Sequence, residues 1–387
     1  MPATASLGFE MKSPDHLLMV ADSEHDANML HAVGMFVPDP FIFLRTRGRD
    51  YVVMSDLEID RARKQAPHCC VLSLSRYQHK LRREGIKRPG FAQVIPALLR
   101  DRGIRRVVVP QDFPYGLASD LQRSGIRVTA RPGSFFPDRE CKTAAEVKKL
   151  SAALLMAEIG MAEAIQVLHR TKITKGRRLL YHEVPLTSEK LRAVIDTAIL
   201  RAGGLASHTI VAGGRQGCDP HEEGYGPLRA NEPIILDIFP RSQKTGYFGD
   251  ITRTVVRGLA SEAVRKLYDT VLQGQKLAFR KMRPGMPTAE VHTAVQEFFA
   301  REGYPTGRRN GRMQGFFHGT GHGLGLEVHE TPRMGPTSAG KLKAGQVVTV
   351  EPGLYYAEIG GVRIEDVALV TGTRPRNLTQ FEKVLEV

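Results

Sequence analysis

The chain has 387 residues, of which 42% are hydrophobic and 25% are charged. This length predicts two or three domains, each with enough apolar residues to form a core. The composition is that of an ordinary globular protein, and the sequence contains no low-complexity segment and no repeat of fixed period.

The net charge of +14 is partly local, because nine Lys or Arg residues face two acids between positions 80 and 106. A basic surface of this kind can bind nucleic acid or another polyanion. No aromatic residues alternate with these charges, as a platform for base stacking would require. We therefore interpret the segment as a solvated surface, and no nucleic-acid partner is expected.

Targeting signals are also missing from the sequence. No apolar run approaches the ~20 residues that a membrane span needs. The segment 1–20 has no basic stretch followed by a continuous apolar core, so no signal peptide is predicted. The four cysteines, none of them in a C-x-x-C pair, are typical of a reducing compartment. These features predict a cytoplasmic protein with no membrane partner.

The first part of the chain alternates strand-like and helical patterns. A helix is predicted for "FAQVIPALLRDRG", ending at Gly103. Strands are predicted for "PFIFL", "DYVVMS", "HCCVLSL" and "RRVVVP". This alternation indicates a small α/β domain with a partly parallel sheet, which we assign to residues 1–138.

A long helix then opens a second region, which we assign to residues 139–387. Thr143 and Glu146 form the capping-box pattern at its start. Further helices are predicted over 187–202, 261–282 and 288–301. Strand-like runs separate them: "HTIVAGG", "EPIILDIFP", "YFGDITRTVVRG", "QVVTVEPGLYY" and "GGVRIEDVALVTG". This pattern predicts an α+β domain with an antiparallel sheet and flanking helices.

The segment "HGTGHGLGLEVHE", from 318 to 330, combines four alternating glycines with three histidines. A dinucleotide-binding motif is excluded, because its third glycine would fall on Leu324 or Leu326. The later segment "GPTSAGKL" has Leu342 where a phosphate-binding loop needs Ser or Thr, so that motif is also excluded.

Four acids interrupt runs that would otherwise be core strands: Asp237, Asp250, Glu351 and Glu365. A single acid of this kind is usually a turn cap or a salt-bridge partner. Four of them, with His322 as a nitrogen donor, indicate a shared cation, because buried acids are costly unless they are paired or bound to metal. Carboxylates with one imidazole favour Mn²⁺, Fe²⁺, Co²⁺ or Zn²⁺. Bridging carboxylates would allow two ions about 3.5–4 Å apart, an arrangement used in hydrolysis.

These motifs resemble the pita-bread metallopeptidases, which include methionine aminopeptidases, Xaa-Pro aminopeptidases and prolidases and share their fold with creatinase. The matching segments are "LDIFPRSQKTGYFGDITRT", "HGTGHGLGLEVHE", "VTVEPGLYY" and "GVRIEDVALVT". The region before them is similar to a creatinase-type N-terminal domain, which simple methionine aminopeptidases lack. The resemblance therefore implies the Xaa-Pro aminopeptidase or prolidase branch, with a C-terminal pita-bread domain.

The resemblance also implies roles for individual residues. The five metal ligands would be Asp237, Asp250, His322, Glu351 and Glu365, of which Asp250 and Glu365 would bridge two divalent ions, Mn²⁺ being expected. Glu351 would also carry the proton of the attacking water. The remaining catalytic or substrate-binding residues would be His221, His318, His329, Arg363 and Tyr355. The glycines would let the backbone pass close to the metals, and the outer two histidines would face the substrate.

Some positions depart from the family pattern. The spacing from Asp237 to Asp250 is two residues longer than is usual in the family, which lengthens the intervening turn. Phe239 and Pro240 stand where relatives often have a glycine, and His221 follows "GCDP" where relatives often have Asn-Ala. These differences concern the substrate pocket and leave the metal ligands intact.

The resemblance implies a proline-containing peptide as substrate and a homodimer as the assembly. It leaves open whether the substrate is a dipeptide or a longer peptide. Two alternatives also remain: a metal-dependent hydrolase of another small amide, and a non-catalytic binding protein that uses its basic surface. The presence of all five ligands favours the hydrolases, and a panel of substrates separates them.

Overall fold

A computed structural model describes residues 16–387 of the chain. Most of the segment on which the absence of a signal peptide was predicted lies outside these residues. The chain divides into two compact units, Met1–Pro137 and Asp138–Val387. A short 3₁₀ helix spans Pro137–Glu140 at the boundary.

The first unit alternates strands and helices. Its elements, in chain order, are β1 (Leu17–Ala21), α1 (Ala27–Val33), β2 (Phe41–Thr46), β3 (Arg49–Met54), α2 (Ile59–Gln65), β4 (Cys69–Ser73), α3 (Leu74–Arg83), α4 (Phe91–Arg100), β5 (Arg106–Val109), α5 (Tyr115–Arg123) and β6 (Arg127–Ala130).

These strands form one sheet in the order β4-β3-β2-β1-β5-β6. Strands β1, β2 and β3 pair antiparallel, and the outer pairs β3/β4, β1/β5 and β5/β6 are parallel, which confirms the predicted partly parallel sheet. Successive side chains of a strand point to opposite faces. Accordingly, Phe43 joins a core with Phe136, and its neighbours Ile42 and Leu44 join a second core with Leu98 of α4.

The second unit contains the longer helices and many short strands. Its elements are α6 (Ala144–His169), β7 (Lys172–Ile173), β8 (Leu179–Tyr181), β9 (Val184–Pro185), α7 (Ser188–Arg201), β10 (Gly204–Leu205), β11 (Ile210–Gly213), a 3₁₀ helix (Gln216–Cys218), β12 (Pro233–Ile238), β13 (Arg241–Ser242), β14 (Ile251–Val256), α8 (Glu262–Lys281), α9 (Thr288–Arg301), β15 (Gly307–Arg309), β16 (Arg312–Gln314), β17 (Gly321–Gly323), β18 (Glu330–Met334), β19 (Val347–Val350), β20 (Gly353–Tyr356), β21 (Gly360–Arg363), β22 (Asp366–Leu369) and β23 (Arg376–Asn377).

Two antiparallel sheets carry the candidate site of this unit. One has the order β11-β12-β14, and the other has the order β18-β17-β19-β22-β23. All pairings within them are antiparallel, as predicted. Strands β20 and β21 form a separate antiparallel hairpin between the acidic ends of β19 and β22.

A buried aromatic pair joins helix α9 to the segment that precedes β17. The rings of Phe299 in α9 and Phe316 lie edge to face with centroids 5.5 Å apart. Both side chains are fully buried, and burial of a Phe side chain stabilises a protein by about 1.5–3 kcal/mol. Phe316 also touches the ring of His318, at 5.2 Å between centroids. This core therefore supports the start of the glycine-rich segment.

Helix α6 begins with the predicted capping box. The hydroxyl of Thr143 accepts from the amide of Glu146, whose carboxylate accepts from the amide of Thr143. Among the described residues, this helix is the one that is long and apolar enough, by length and composition alone, to cross a membrane. In the protein it packs closely on α7, since a Cβ added at Gly160 would lie 3.0 Å from Ile199.

Candidate metal centre and active site

A cavity of about 900 Å³ in the second unit contains almost all of the predicted site residues. Those that line it are His221, Asp237, Asp250, His318, His322, His329, Glu351, Arg363 and Glu365. Tyr355 does not line the cavity, and its buried hydroxyl lies behind the wall, against His318 and Arg363.

Strand pairing explains why residues distant in the sequence meet here. Asp237 of β12 pairs with Thr252 of β14, so that Asp250 leaves β14 at the end where Asp237 lies. In the other sheet, the pair Val350–Asp366 ends the ladder between β19 and β22. The next residues outward, Glu351 and Glu365, therefore emerge at the same edge.

Three of these residues form a cluster suited to a metal ion. Asp250, His322 and Glu365 each offer one ligand atom, and all three atoms lie within 4.8 Å of one another. Nε2 of His322 is 3.9 Å from Oδ2 of Asp250 and 3.2 Å from Oε1 of Glu351. The group thus combines oxygen donors with one imidazole nitrogen, a set that suits Mn²⁺, Fe²⁺, Co²⁺ or Zn²⁺.

The electrostatics of this cluster also fit a cation. Burial, followed by repulsion from Asp237, raises the pKa of Asp250 well above its ordinary value. Burial, followed by repulsion from Asp250, does the same to the pKa of Glu365. A divalent ion would remove this conflict, because the charged carboxylates would then bind it instead of repelling one another.

Glu351 and His322 form the charged pair of the cluster. Although burial alone would raise the pKa of Glu351, its hydrogen bond with His322 and the charge of that ring lower it to about 2. Burial alone would lower the pKa of His322, but the hydrogen bond to Glu351 and the charges of Glu351 and Asp250 together raise it. Since a carbonyl oxygen only accepts, Nδ1 of His322 donates to the carbonyl of Gly323, which leaves Nε2 directed at the carboxylates.

Two threonine hydroxyls hold the acidic side chains. Thr252 Oγ1 donates to Oε2 of Glu365 at 2.7 Å. Thr349 Oγ1 donates to Oε1 of Glu351 at 3.2 Å and accepts from the amide of His322 at 3.0 Å. Glu365 is therefore fixed by the neighbouring strand β14 and Glu351 by the strand β19 that it follows, and metal ligands are usually held by partners of this kind.

A chain of hydrogen bonds runs behind the cluster from His318 to Asp237. Arg363 Nη2 donates to Oδ2 of Asp237 at 2.6 Å, and its Nη1 donates to the hydroxyl of Tyr355 at 2.8 Å. Tyr355 donates in turn to Nε2 of His318, and Nδ1 of His318 donates to the carbonyl of Gly319. Both ring nitrogens of His318 are thus engaged, and burial lowers its pKa to about 4.

The other two predicted histidines are more accessible. The ring of His329 stands edge to face on His322, with centroids 4.5 Å apart. Burial, followed by the charges of His322 and Arg333, lowers the pKa of His329 to about 4, so this ring is neutral near pH 7. His221 is exposed at the rim of the cavity. These rings can donate hydrogen bonds to a substrate oxygen.

Two glycines of the histidine-rich segment allow the neighbouring strands to approach β17 closely. A Cβ added at Gly321 would lie 1.9 Å from the carbonyl oxygen of Thr349, and one at Gly323 would lie 2.2 Å from that of Thr331. Strand β17 is therefore wedged between the backbones of its neighbours, so that only glycine fits at these positions. These close contacts with the backbones of the two neighbouring strands fix the position of His322.

The sequence reasoning missed other residues that line the cavity. Phe317 and Val328, together with Phe239, form an apolar part of the cavity wall. Arg333 of β18 is exposed in the cavity, and within residues 16–387 its side chain makes no hydrogen bond and no ion pair with a carboxylate. No sequence motif indicated Arg333. Its side chain reaches the cavity only because the edge strand β18 points it there.

A buried ion cluster fixes the turn before His329. The carboxylate of Glu330 accepts from Arg139 Nη2 at 2.5 Å and from Lys142 Nζ at 2.8 Å. The same carboxylate accepts from the amides of Leu326 and Glu327. The cluster thus ties the turn that follows the glycines to the start of the second unit.

We predict that Gly321→Ala destabilises the protein by about 1–3 kcal/mol. The new methyl group overlaps the backbone of a neighbouring strand, and moving that strand would disrupt the sheet. The free energy of unfolding from denaturant titration measures the effect. Gly307→Ala is the matched control, since its Cβ would meet nothing within 4 Å. Equal stabilities of the two variants would contradict the wedged strand.

Glu330 predicts a specific sensitivity to acid. Burial would raise its pKa from the ordinary 4.5, but Lys142 and Arg139 lower it instead. A group with a lowered folded pKa contributes stability that is present above its unfolded pKa and is lost as the pH falls through the folded value. We therefore expect Glu330→Gln to be less stable than wild type at neutral pH and to lose less stability below about pH 4.5. Glu297→Gln, at an exposed position, should keep the wild-type profile in denaturant titrations across this range.

Comparison with known proteins assigns the chain to a family. The sequence profile of metallopeptidase family M24 matches residues 148–372, more than half of the chain. An Xaa-Pro dipeptidase from Pyrococcus horikoshii is 31% identical over 286 residues, which cover 73% of this chain and 75% of that protein.

Solved structures share the fold over nearly the whole chain. An Xaa-Pro dipeptidase from Bacillus anthracis has a TM-score of 0.80 at 23% identity and covers 97% of this chain and 95% of its own. A prolidase from Pyrococcus horikoshii has a TM-score of 0.76 at 25% identity, covering 96% and 95%. The predicted α+β pita-bread fold is thereby confirmed. Taken with the cluster of carboxylates and imidazole, these matches lead to one conclusion: the chain belongs to metallopeptidase family M24.

Proposed function

We propose that this metallopeptidase cleaves the bond between an N-terminal residue and proline, with two divalent ions bound by Asp237, Asp250, His322, Glu351 and Glu365. The observation that carries the proposal is the cavity in which these five side chains meet. The similarity to an Xaa-Pro dipeptidase supports the choice of substrate.

The donor set supports binding of divalent ions at this site. Asp250 and Glu365 are buried, and burial together with repulsion from a neighbouring acid raises the pKa of each. Bound divalent ions would supply a nucleophilic water near neutral pH and would polarise the scissile carbonyl. We propose Mn²⁺ as the ion in use, since carboxylate oxygens outnumber the single nitrogen.

The chain's own groups would handle the proton and the developing charge. Glu351, whose pKa is lowered to about 2 by His322, is ionised near pH 7 and can accept the proton of the attacking water. It would then deliver that proton to the amide nitrogen of the leaving proline. His221 and His329 line the same cavity and would donate hydrogen bonds to the substrate carbonyl oxygen.

Proline places particular demands on the pocket. Its tertiary amide has no N–H and its ring is rigid, so recognition must come from shape and apolar contact. The side chains of Phe239, Phe317 and Val328 provide apolar surface in the cavity and would accept the ring.

Arg333 supports a preference for dipeptides. It is a cation that lines the cavity and has no carboxylate partner among residues 16–387. A guanidinium binds a carboxylate through two parallel hydrogen bonds. We propose that it holds the free carboxylate of a dipeptide's proline, which a longer peptide does not place there.

The remaining proposals rest on the resemblance of the sequence to this family. Residues 1–138 would form the creatinase-type N-terminal domain and residues 139–387 the catalytic domain. The chain would act as a homodimer in the cytoplasm, with no membrane or nucleic-acid partner.

Hydrolysis of Ala-Pro tests the proposed activity. We expect the metal-free protein to be inactive, Mn²⁺ to restore cleavage, and Asp250→Ala to abolish it by removing one carboxylate of the cluster, with released proline as the readout. Metal binding without cleavage of any proline peptide would instead favour the hydrolase of another small amide. Failure to bind divalent metal would contradict the proposed centre and would favour a non-catalytic binding protein.

Arg333→Met should lower kcat/KM for Ala-Pro by about tenfold or more while changing that for Ala-Pro-amide little, because only the first substrate offers a carboxylate. One lost charged hydrogen-bonding partner corresponds to roughly 1.5–3 kcal/mol. Arg280→Met, at an exposed position on α8 outside the cavity, is the matched control. Equal losses for both substrates would refute the assignment of Arg333 to the carboxylate.

A further inference from the structure

Arg253 of β14 carries the largest of the fully buried side chains, and it lies outside the cavity. Its neighbours on the strand, Thr252 and Thr254, point toward the site, where they bind Glu365 and the backbone of Arg363. Because side chains alternate along a strand, Arg253 points the other way. It therefore contacts the metal cluster only on the side of β14 that faces away from the cavity.

The guanidinium links β14 to the backbone of Glu365. Its Nη1 donates to the carbonyl of Thr252 at 2.9 Å and to that of Glu365 at 2.5 Å. The amide of Glu365 donates to the carbonyl of Thr252 at 3.1 Å, and the hydroxyl of Thr252 donates to Oε2 of Glu365. Together these bonds fix both the backbone and the carboxylate of Glu365 against β14.

The same guanidinium is held by the end of the chain. Its Nε donates to the carbonyl of Glu382 at 2.9 Å, and its Nη2 donates to the carbonyl of Phe381 at 2.7 Å and to Oδ1 of Asp366 at 3.0 Å. Lys383 forms an ion pair with the same Asp366. The five donated bonds therefore connect the C-terminal segment directly to the residue next to Glu365.

The C-terminal segment is itself anchored on β14 and α8. Val256 and the last residues exchange backbone hydrogen bonds, from Val256 N to Leu385 O and from Val387 N to Val256 O. Arg265 of α8 pairs with Glu386 at 2.6 Å. The segment thus has a fixed position from which it can support Arg253.

From this geometry we infer that Arg253 is a positioning residue for Glu365, and that the C-terminal segment 381–387 braces the metal site through it. The inference rests on the proposed function, in which Glu365 binds the ions. Partners of this kind set the direction of a ligand, and their loss typically weakens metal binding 10–100-fold. A lysine in place of Arg253 keeps the charge but cannot reach both the carbonyl of Glu365 and the C-terminal carbonyls.

Titration of the metal-free protein with Mn²⁺ by calorimetry tests the inference without relying on activity. We expect Arg253→Lys to bind one or both ions at least about tenfold more weakly than wild type. Arg192→Lys is the matched control, because Arg192 also donates to backbone carbonyls, those of Thr209, Glu223 and Gly224, and bonds to neither the metal ligands nor the C-terminal segment. A purely structural role would lower the thermal stability of both variants and leave both Mn²⁺ dissociation constants unchanged.

The outcomes separate this inference from the proposed function. Wild-type protein that binds no divalent ion would overturn both. Two ions bound by wild type and by Arg253→Lys with equal affinity would overturn the positioning role alone. If Arg253→Lys does not fold, Lys383→Met provides the test, because it removes the ion pair between the C-terminal segment and Asp366. Unchanged Mn²⁺ affinity in this variant would overturn the inference.

Discussion

Repulsion between buried carboxylates is the constraint around which the second unit is built. Asp250 and Glu365 are both out of water, and burial raises the pKa of each. Repulsion from Asp237 adds to this effect at Asp250, and repulsion from Asp250 adds to it at Glu365. Such an arrangement is unfavourable in the metal-free protein and becomes favourable when divalent ions bind. The fold therefore imposes a repulsion between these acids, and metal binding relieves it.

The surrounding structure counters that repulsion with fixed donors. Arg363 neutralises Asp237 and extends through Tyr355 to His318, so that part of the charge is balanced within the protein. Hydroxyl groups hold Glu351 and Glu365, and Arg253 fixes the backbone of Glu365. Most of these donors lie behind the cavity wall, which leaves the open side for substrate. The accessible histidines and the apolar side chains face that side.

Much of the fold followed from the local sequence. The helices α6 to α9 had apolar faces with caps or glycine stops, and the strands that carry the acids were continuous apolar runs. Strand β17 could not be foreseen in this way, because it consists of Gly321, His322 and Gly323. Its conformation is imposed by the two strands between which it is wedged.

The sequence by itself determined which residues make up the candidate metal centre, because acids within apolar strands must share a partner and the motifs around them resemble one family. It did not determine how Tyr355 and His318 are engaged, which cation faces the cavity, or what supports Glu365. Those features depend on Arg333 and Arg253, ordinary arginines in the sequence. Their roles were decided by strand register and by the path of the C-terminal segment, which are properties of the tertiary structure and not of any local pattern.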